Sequence, residues 1–147
     1  MLVQFQTILV GVDDSPDALV AFESAIDLAK TNHAQLVIAS ILENEDMNVY
    51  QALNKDYIHG ERQALEQHLN EYVKKAKDAG VENVRAIIGE GDPGKTIIEE
   101  IIPMTHPDLL VIGAKAQKGI AKHFGSQAAY MAKYAGISVL IIREDAE

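Results

Sequence analysis

The chain of 147 residues contains no cysteine, which excludes disulfides, zinc–thiolate sites, iron–sulfur clusters and any thiol nucleophile. It also lacks any run near the roughly 20 apolar residues of a membrane-spanning helix. The opening Met1-Leu2-Val3-Gln4-Phe5 has none of the charged, apolar and small-residue regions of a secretory signal, so the expected location is cytoplasmic. Positive charge is scarce: 13 Lys and Arg stand against 22 Asp and Glu, a net charge of −9. Binding to nucleic acid or to an anionic membrane needs a basic face that releases counterions, and this balance argues against both. His33, His59, His68 and His106 are scattered without metal-ligand spacing and read as surface residues. Ser126 lacks a G-x-S-x-G context and no histidine is paired to a serine by spacing, so no catalytic constellation emerges and an enzyme is the weaker expectation. What the chain does have is apolar residues, 48% of the total, enough for one domain over residues 1–147 without cross-links.

Those apolar residues fall into alternating strand and helix patterns. Phe5 to Val12 reads as a strand, and Ser15-Pro16-Asp17 supplies an N-cap, an N1 proline and a first-turn acid for a helix carrying Val20, Ala21, Ser24, Ala25, Leu28 and Ala29. Thr31-Asn32-His33 ends it before a second strand, Gln35 to Leu42. Glu43 to Gly60 is polar and reads as a mobile connection with one short helix around Tyr50 to Leu53. A second helix from Glu61 to Ala79 places Leu65, Leu69, Tyr72, Val73 and Ala76 on one stripe, with Gly80 as its C′ residue. Asn83 to Gly89 is a third strand. Asp92-Pro93 opens a third helix through Ile97, Ile98, Ile101 and Ile102, and Pro107 precedes a fourth strand, Leu109 to Ile112. A last helix runs from Ser126 to about Tyr134, closed by Gly136, and Ile137 to Arg143 forms a fifth strand whose apolar run suggests cover by another sheet or chain. Five strands linked by helical crossovers imply an α/β fold with an open, five-stranded parallel sheet and helices on both faces.

Ligands of such sheets bind beyond the carboxyl ends of the strands, where strand order reverses. The segments expected there are Val12-Asp13-Asp14-Ser15, Ser40-Ile41, Gly89 to Gly94, and Gly113 onward. In the last of these, Gly113 leads into Lys115, Lys118 and Lys122 and then Gly125-Ser126 at a helix start. Unpaired N–H groups, a hydroxyl able to act as N-cap and local positive charge suit an anion there. The duller explanations stand beside this one: Asp13 and Asp14 cap a helix with Ser15, Gly113 eases a turn, Gly125-Ser126 only starts a helix, and Lys118 and Lys122 are solvated. Gly89-Glu90-Gly91-Asp92-Pro93-Gly94-Lys95-Thr96 also satisfies the P-loop pattern G-x-x-x-x-G-K-[ST]. Pro93 has no N–H to offer a phosphate, Glu90 and Asp92 add negative charge, and the next strand ends in Gly113 where a magnesium-binding aspartate would stand. A P-loop NTPase is therefore the remote alternative.

Ile8 to Ser15, Ala21 to Ala29, the Gly89-x-Gly91-Asp92-Pro93 segment, Asp108 to Gly113, Gly125-Ser126 and Ile137 to Arg143 together resemble the universal stress protein family over nearly the whole chain. The resemblance implies a Rossmann-like domain of the adenine nucleotide hydrolase type, and a homodimer in which the last strand of each subunit pairs with its twin. Some members bind ATP through G-x2-G-x9-G-[ST]. Here Gly113 and Gly125-Ser126 match its ends, Ala116 replaces the second glycine, and the spacing is one residue short. By resemblance, Asp13 meets the ribose or a phosphate-linked metal such as magnesium, Ile41 pairs its backbone with adenine, and Val12 beside Asp13 is a further candidate for the nucleotide site. Gly113, Gly125 and Ser126 cradle the phosphates, and Lys115 is a candidate beside them on its charge. The implied role is a stress-response sensor or regulator that binds ATP or a related adenine nucleotide. The alternative is the same fold acting through protein contacts without nucleotide.

Overall fold

The computed structural model describes residues 4–43, 55–115 and 125–144. In chain order it contains β1 (Thr7–Gly11), α1 (Pro16–Asn32), β2 (Gln35–Leu42), α2 (Lys55–Asp78) and β3 (Val84–Glu90). Then follow a helix in three consecutive pieces, Pro93–Thr96, Ile97–Ile101 and Ile102–Thr105, together α3, and β4 (Leu109–Gly113), α4 (Ser126–Tyr134) and β5 (Ser138–Ile142). All strands are parallel, in the order β3-β2-β1-β4-β5. The chain builds outward from β1 to β3 and then returns to the other side of β1, so the order reverses between β1 and β4.

Side-chain alternation along the three central strands sorts the core into two layers. Ile8 and Val10 of β1, Leu36 and Ile38 of β2, and Leu109 and Val111 of β4 pack with Phe22 and Ala25 of α1 and Leu69 and Ala76 of α2. Their neighbours Leu9, Val37 and Leu110 point to the opposite face, against Ile97 and Ile101 of α3 and Ala128 and Met131 of α4. Continuous apolar runs are thus explained by burial on both faces. Asp108 fixes how β1 and β4 start, its carboxylate accepting the N–H groups of Gln6 at 2.9 Å and Thr7 at 3.0 Å. At the far end of β5, Asp17 in the first turn of α1 accepts the N–H of Glu144 at 2.5 Å.

The helix ends follow the local chemistry read from sequence. Ser15 caps α1 by accepting the Ala18 N–H at 3.2 Å, with Pro16 in the first turn. At the end of α2 Gly80 has φ +110°, its N–H bonds to Lys77 O and the Val81 N–H to Ala76 O, a Schellman closure. His33 and His106 hold the equivalent left-handed positions after α1 and α3, at φ 53° and 51°, so two of the scattered histidines serve as helix terminators.

Three expectations need correction. α2 begins at Lys55, six residues before Glu61, so part of the presumed connection is helical. The third helix is not a uniform α-helix, because Ile97–Ile101 is a π turn. Pro103, two residues further on, has no N–H for the carbonyl four residues back and its ring crowds that carbonyl; a widened turn relieves both. Finally, Ser126 is the first helical residue of α4, and Gly125 takes the N-cap position without any side-chain cap. The short helix expected around Tyr50 to Leu53 lies outside the described residues.

Candidate functional site

A cavity of about 360 Å³ opens where β1 and β4 end and the strand order reverses. All seven residues expected from sequence line it: Val12 and Asp13 after β1, Ile41 of β2, Gly113 and Lys115 at the end of β4, and Gly125 and Ser126 at the start of α4. Its apolar wall includes Ile97, Ile112 and Met131, all at least nine-tenths buried. Asp13, Glu43 and Lys115 bring charge of both signs to the rim. Lys118, Lys122, Ala116 and the remainder of 116–124 lie outside the described residues.

The two sides of the cavity are tied together through main chain. Asp13 Oδ1 accepts the Ser15 N–H at 3.0 Å, a local turn that ends at the N-cap. Ser15 is 2% exposed, and besides capping α1 its Oγ donates to Lys115 O at 3.4 Å. Across the gap the Gly125 N–H donates to Ala114 O at 2.8 Å, which sets α4 directly against the end of β4. Gly113 is half-buried, and a Cβ there would stand 2.8 Å from the Ala18 nitrogen and the Asp17 carbonyl carbon. Close packing on the first turn of α1 therefore requires glycine at this position.

Three of the four described helices line the cavity with their first turns, and their N-terminal donors have different fates. In α1, Pro16 has no N–H and Ala18 is capped by Ser15. In α3, Asp92 Oδ2 caps the Lys95 N–H at 3.2 Å, the Thr96 N–H bonds to Asp92 O, and the Gly94 N–H donates to Gln127 Oε1 at 2.7 Å. Gln127 Nε2 donates in turn to Asp92 Oδ1 at 2.8 Å. The P-loop alternative fails on these bonds. Its glycine-rich stretch begins within β3, its N–H groups are claimed internally, and Thr96 is 4% exposed with its hydroxyl donating to Glu90 O. Among the described residues the first turn of α4, with no side-chain cap, lines the cavity through Ser126, Gln127 and Ala128, and the N–H groups of a first helical turn have no helical partner. An anion is favoured there by those donors and by the positive end of the helix dipole.

Two features escaped sequence reading. The Asp92–Gln127–Gly94 network joins residues more than 30 apart in sequence, and the only local hint is the place of Gln127 beside Ser126. Asp14 is not in the cavity wall: its carboxylate meets Tyr72 and His68 of α2, and no sequence signal links that loop to that helix. The Tyr72 phenol is held above its ordinary pKa, first by burial and then by the Asp14 carboxylate beside it.

A sequence model of the universal stress protein family matches residues 4–143. A candidate universal stress protein of Staphylococcus haemolyticus is 28% identical over 145 residues, covering 98% of this chain and 88% of that one. A universal stress protein from Lactobacillus plantarum has the same fold, with a TM-score of 0.86 at 22% identity, covering 97% of this chain and all of that one. A crystal structure of a universal stress protein in complex with cAMP gives a TM-score of 0.72 at 26% identity, covering 96% and 98% of the two chains.

Proposed function

The chain belongs to the universal stress protein family, and from that premise we propose that the cavity between β1 and β4 binds an adenine nucleotide, ATP or a relative of it, and that the protein acts as a nucleotide-responsive regulator. The observation that carries the reading is the first turn of α4, which has no side-chain cap and opens into a cavity that Asp13, Ile41 and Lys115 also line. Phosphate at α4 leaves the adenine against Val12 and Ile41 and the ribose beside Asp13. The solved relative in complex with cAMP holds a ligand of this chemical class.

Magnesium enters this reading only with the phosphates. Among the described residues no group of three or more His, Asp or Glu could hold a metal, and a magnesium ion carried by a nucleotide needs no more than one or two carboxylates. Asp13 fits that part. A homodimer through β5 and a cytoplasmic location belong to the same proposal. Support for the dimer is that Val139, Leu140, Ile141 and Ile142 are only partly buried on an edge strand; no described helix is long and apolar enough to cross a membrane.

Calorimetric titration of ATP, ADP, AMP and cAMP, with and without magnesium, into refolded and ligand-stripped protein tests the reading. Saturable binding is expected, and Gly125→Val with Ser126→Ala should abolish it while Lys95→Ala leaves it intact. Unaltered affinity in the folded double variant would remove the phosphate site from α4. No heat with any nucleotide would favour the same fold acting through protein contacts.

A further inference from the structure

We propose that Asp14 and Tyr72 are positioning residues for the cavity: together they hold the Asp13–Ser15 turn in the shape that keeps the Asp13 carboxylate in the cavity wall. The backbone poses the question. Asp14 has φ +63°, a left-handed conformation that L residues adopt at a cost. Its neighbours fill incompatible places, Asp13 at the cavity and Ser15 buried at the N-cap of α1. Something must hold the reversal between them.

The Asp13–Ser15 hydrogen bond closes the turn locally, and α2 braces it from outside. Tyr72 donates its hydroxyl to Asp14 Oδ1 at 2.5 Å, and His68 Nδ1 lies 3.0 Å from Asp14 Oδ2. The two side chains are one helical turn apart and so share a face. They are not equal partners. Asp14 and His68 side chains are 44% and 57% exposed, and an ion pair so open to water contributes little. Tyr72 is anchored: its ring packs edge-to-face on Phe22, with centroids 4.8 Å apart, and Phe22 is fully buried. Burial and the adjacent carboxylate keep the phenol protonated, so it remains a donor to a charged acceptor, the stronger class of hydrogen bond. The core thereby fixes an oxygen, the oxygen fixes Asp14, and Asp14 fixes the turn whose other side chain faces the cavity. The ligand readout of this proposal rests on the nucleotide reading; its structural readout does not.

The test compares wild type with Tyr72→Phe, Asp14→Asn and His68→Ala by amide hydrogen exchange at Ser15 without ligand, and by calorimetry with ATP and AMP. Thermal unfolding serves as the folding control, and the phenylalanine ring retains its packing on Phe22. Tyr72→Phe should speed Ser15 exchange and weaken nucleotide binding about tenfold, the scale of one lost hydrogen bond. Asp14→Asn keeps an acceptor for the phenol and tolerates positive φ but loses the charge, so it should fall between wild type and Tyr72→Phe, whereas His68→Ala should stay near wild type. Unchanged Ser15 exchange in Tyr72→Phe would overturn the proposal, and so would faster exchange with wild-type affinity. If wild type binds no nucleotide, the ligand reading fails by itself, and Ser15 exchange alone decides whether Tyr72 sets the turn.

Discussion

Gly113 is fixed by its neighbours and not by its own torsion angles. Its lack of a side chain lets the end of β4 lie against the first turn of α1, where even a methyl group would sit 2.8 Å from main-chain atoms of Asp17 and Ala18. Main chain cannot swing aside as a long side chain would. Gly113→Ala should therefore destabilise the fold by about 1–3 kcal/mol through overpacking, measured by urea unfolding, and this loss is expected whether or not a ligand binds. Single residues were legible in the sequence wherever the rule was local: Ser15 as a cap, Pro16 behind it, Gly80 as a helix terminator. Gly113 was legible as important but not for this reason, because the α1 backbone that crowds it is nearly 100 positions away. Ser126 shows the opposite slip, since a serine at a helix start suggests a cap, yet the extended residue is Gly125.

Elements were legible by type, and less so at their edges and inside α3. Strand positions followed from short apolar runs, and the alternation of Ile8, Leu9 and Val10 between the two core layers is what a strand buried on both faces requires. The early start of α2 was hidden by Gly60, which resembles a break. Gly60 lies within the helix, and a Cβ there would meet nothing within 4 Å. Gly60→Ala should accordingly stabilise the protein by about 0.5–1 kcal/mol, read as a raised thermal midpoint, because alanine loses less backbone entropy in a helix. The π turn at Ile97–Ile101 escaped for another reason. Isoleucines at 97, 98, 101 and 102 satisfy helical spacing equally well when one turn is widened, so periodicity alone does not report the effect of Pro103.

At the scale of the molecule, chain order dictates where a site forms. Helical crossovers imply a parallel sheet, a parallel sheet puts its loops at one end, and the reversal between β1 and β4 leaves a gap there that seven residues named from sequence go on to line. The fold and the walls of the site were thus readable, whereas the Gln127 network and the Tyr72 clamp were not, since both depend on how helices settle after the sheet forms. β5 remains an edge with apolar side chains only partly buried. On the proposed pairing of β5 with its twin, Val139→Lys should convert a dimer to a folded monomer in analytical ultracentrifugation; a wild-type monomer would defeat that assembly. One consequence of the strand order concerns the ladder at its centre. The first three strands and the last two meet along only three paired positions, Ile8–Leu109, Leu9–Leu110 and Val10–Val111. The sheet is in this sense a split collar, closed along a short seam, and the cavity lies at the mouth of that seam with Asp13 on one lip and Ser126 beyond the other. On the proposed reading, a nucleotide lodged there would act as a rivet, touching both lengths of chain at once.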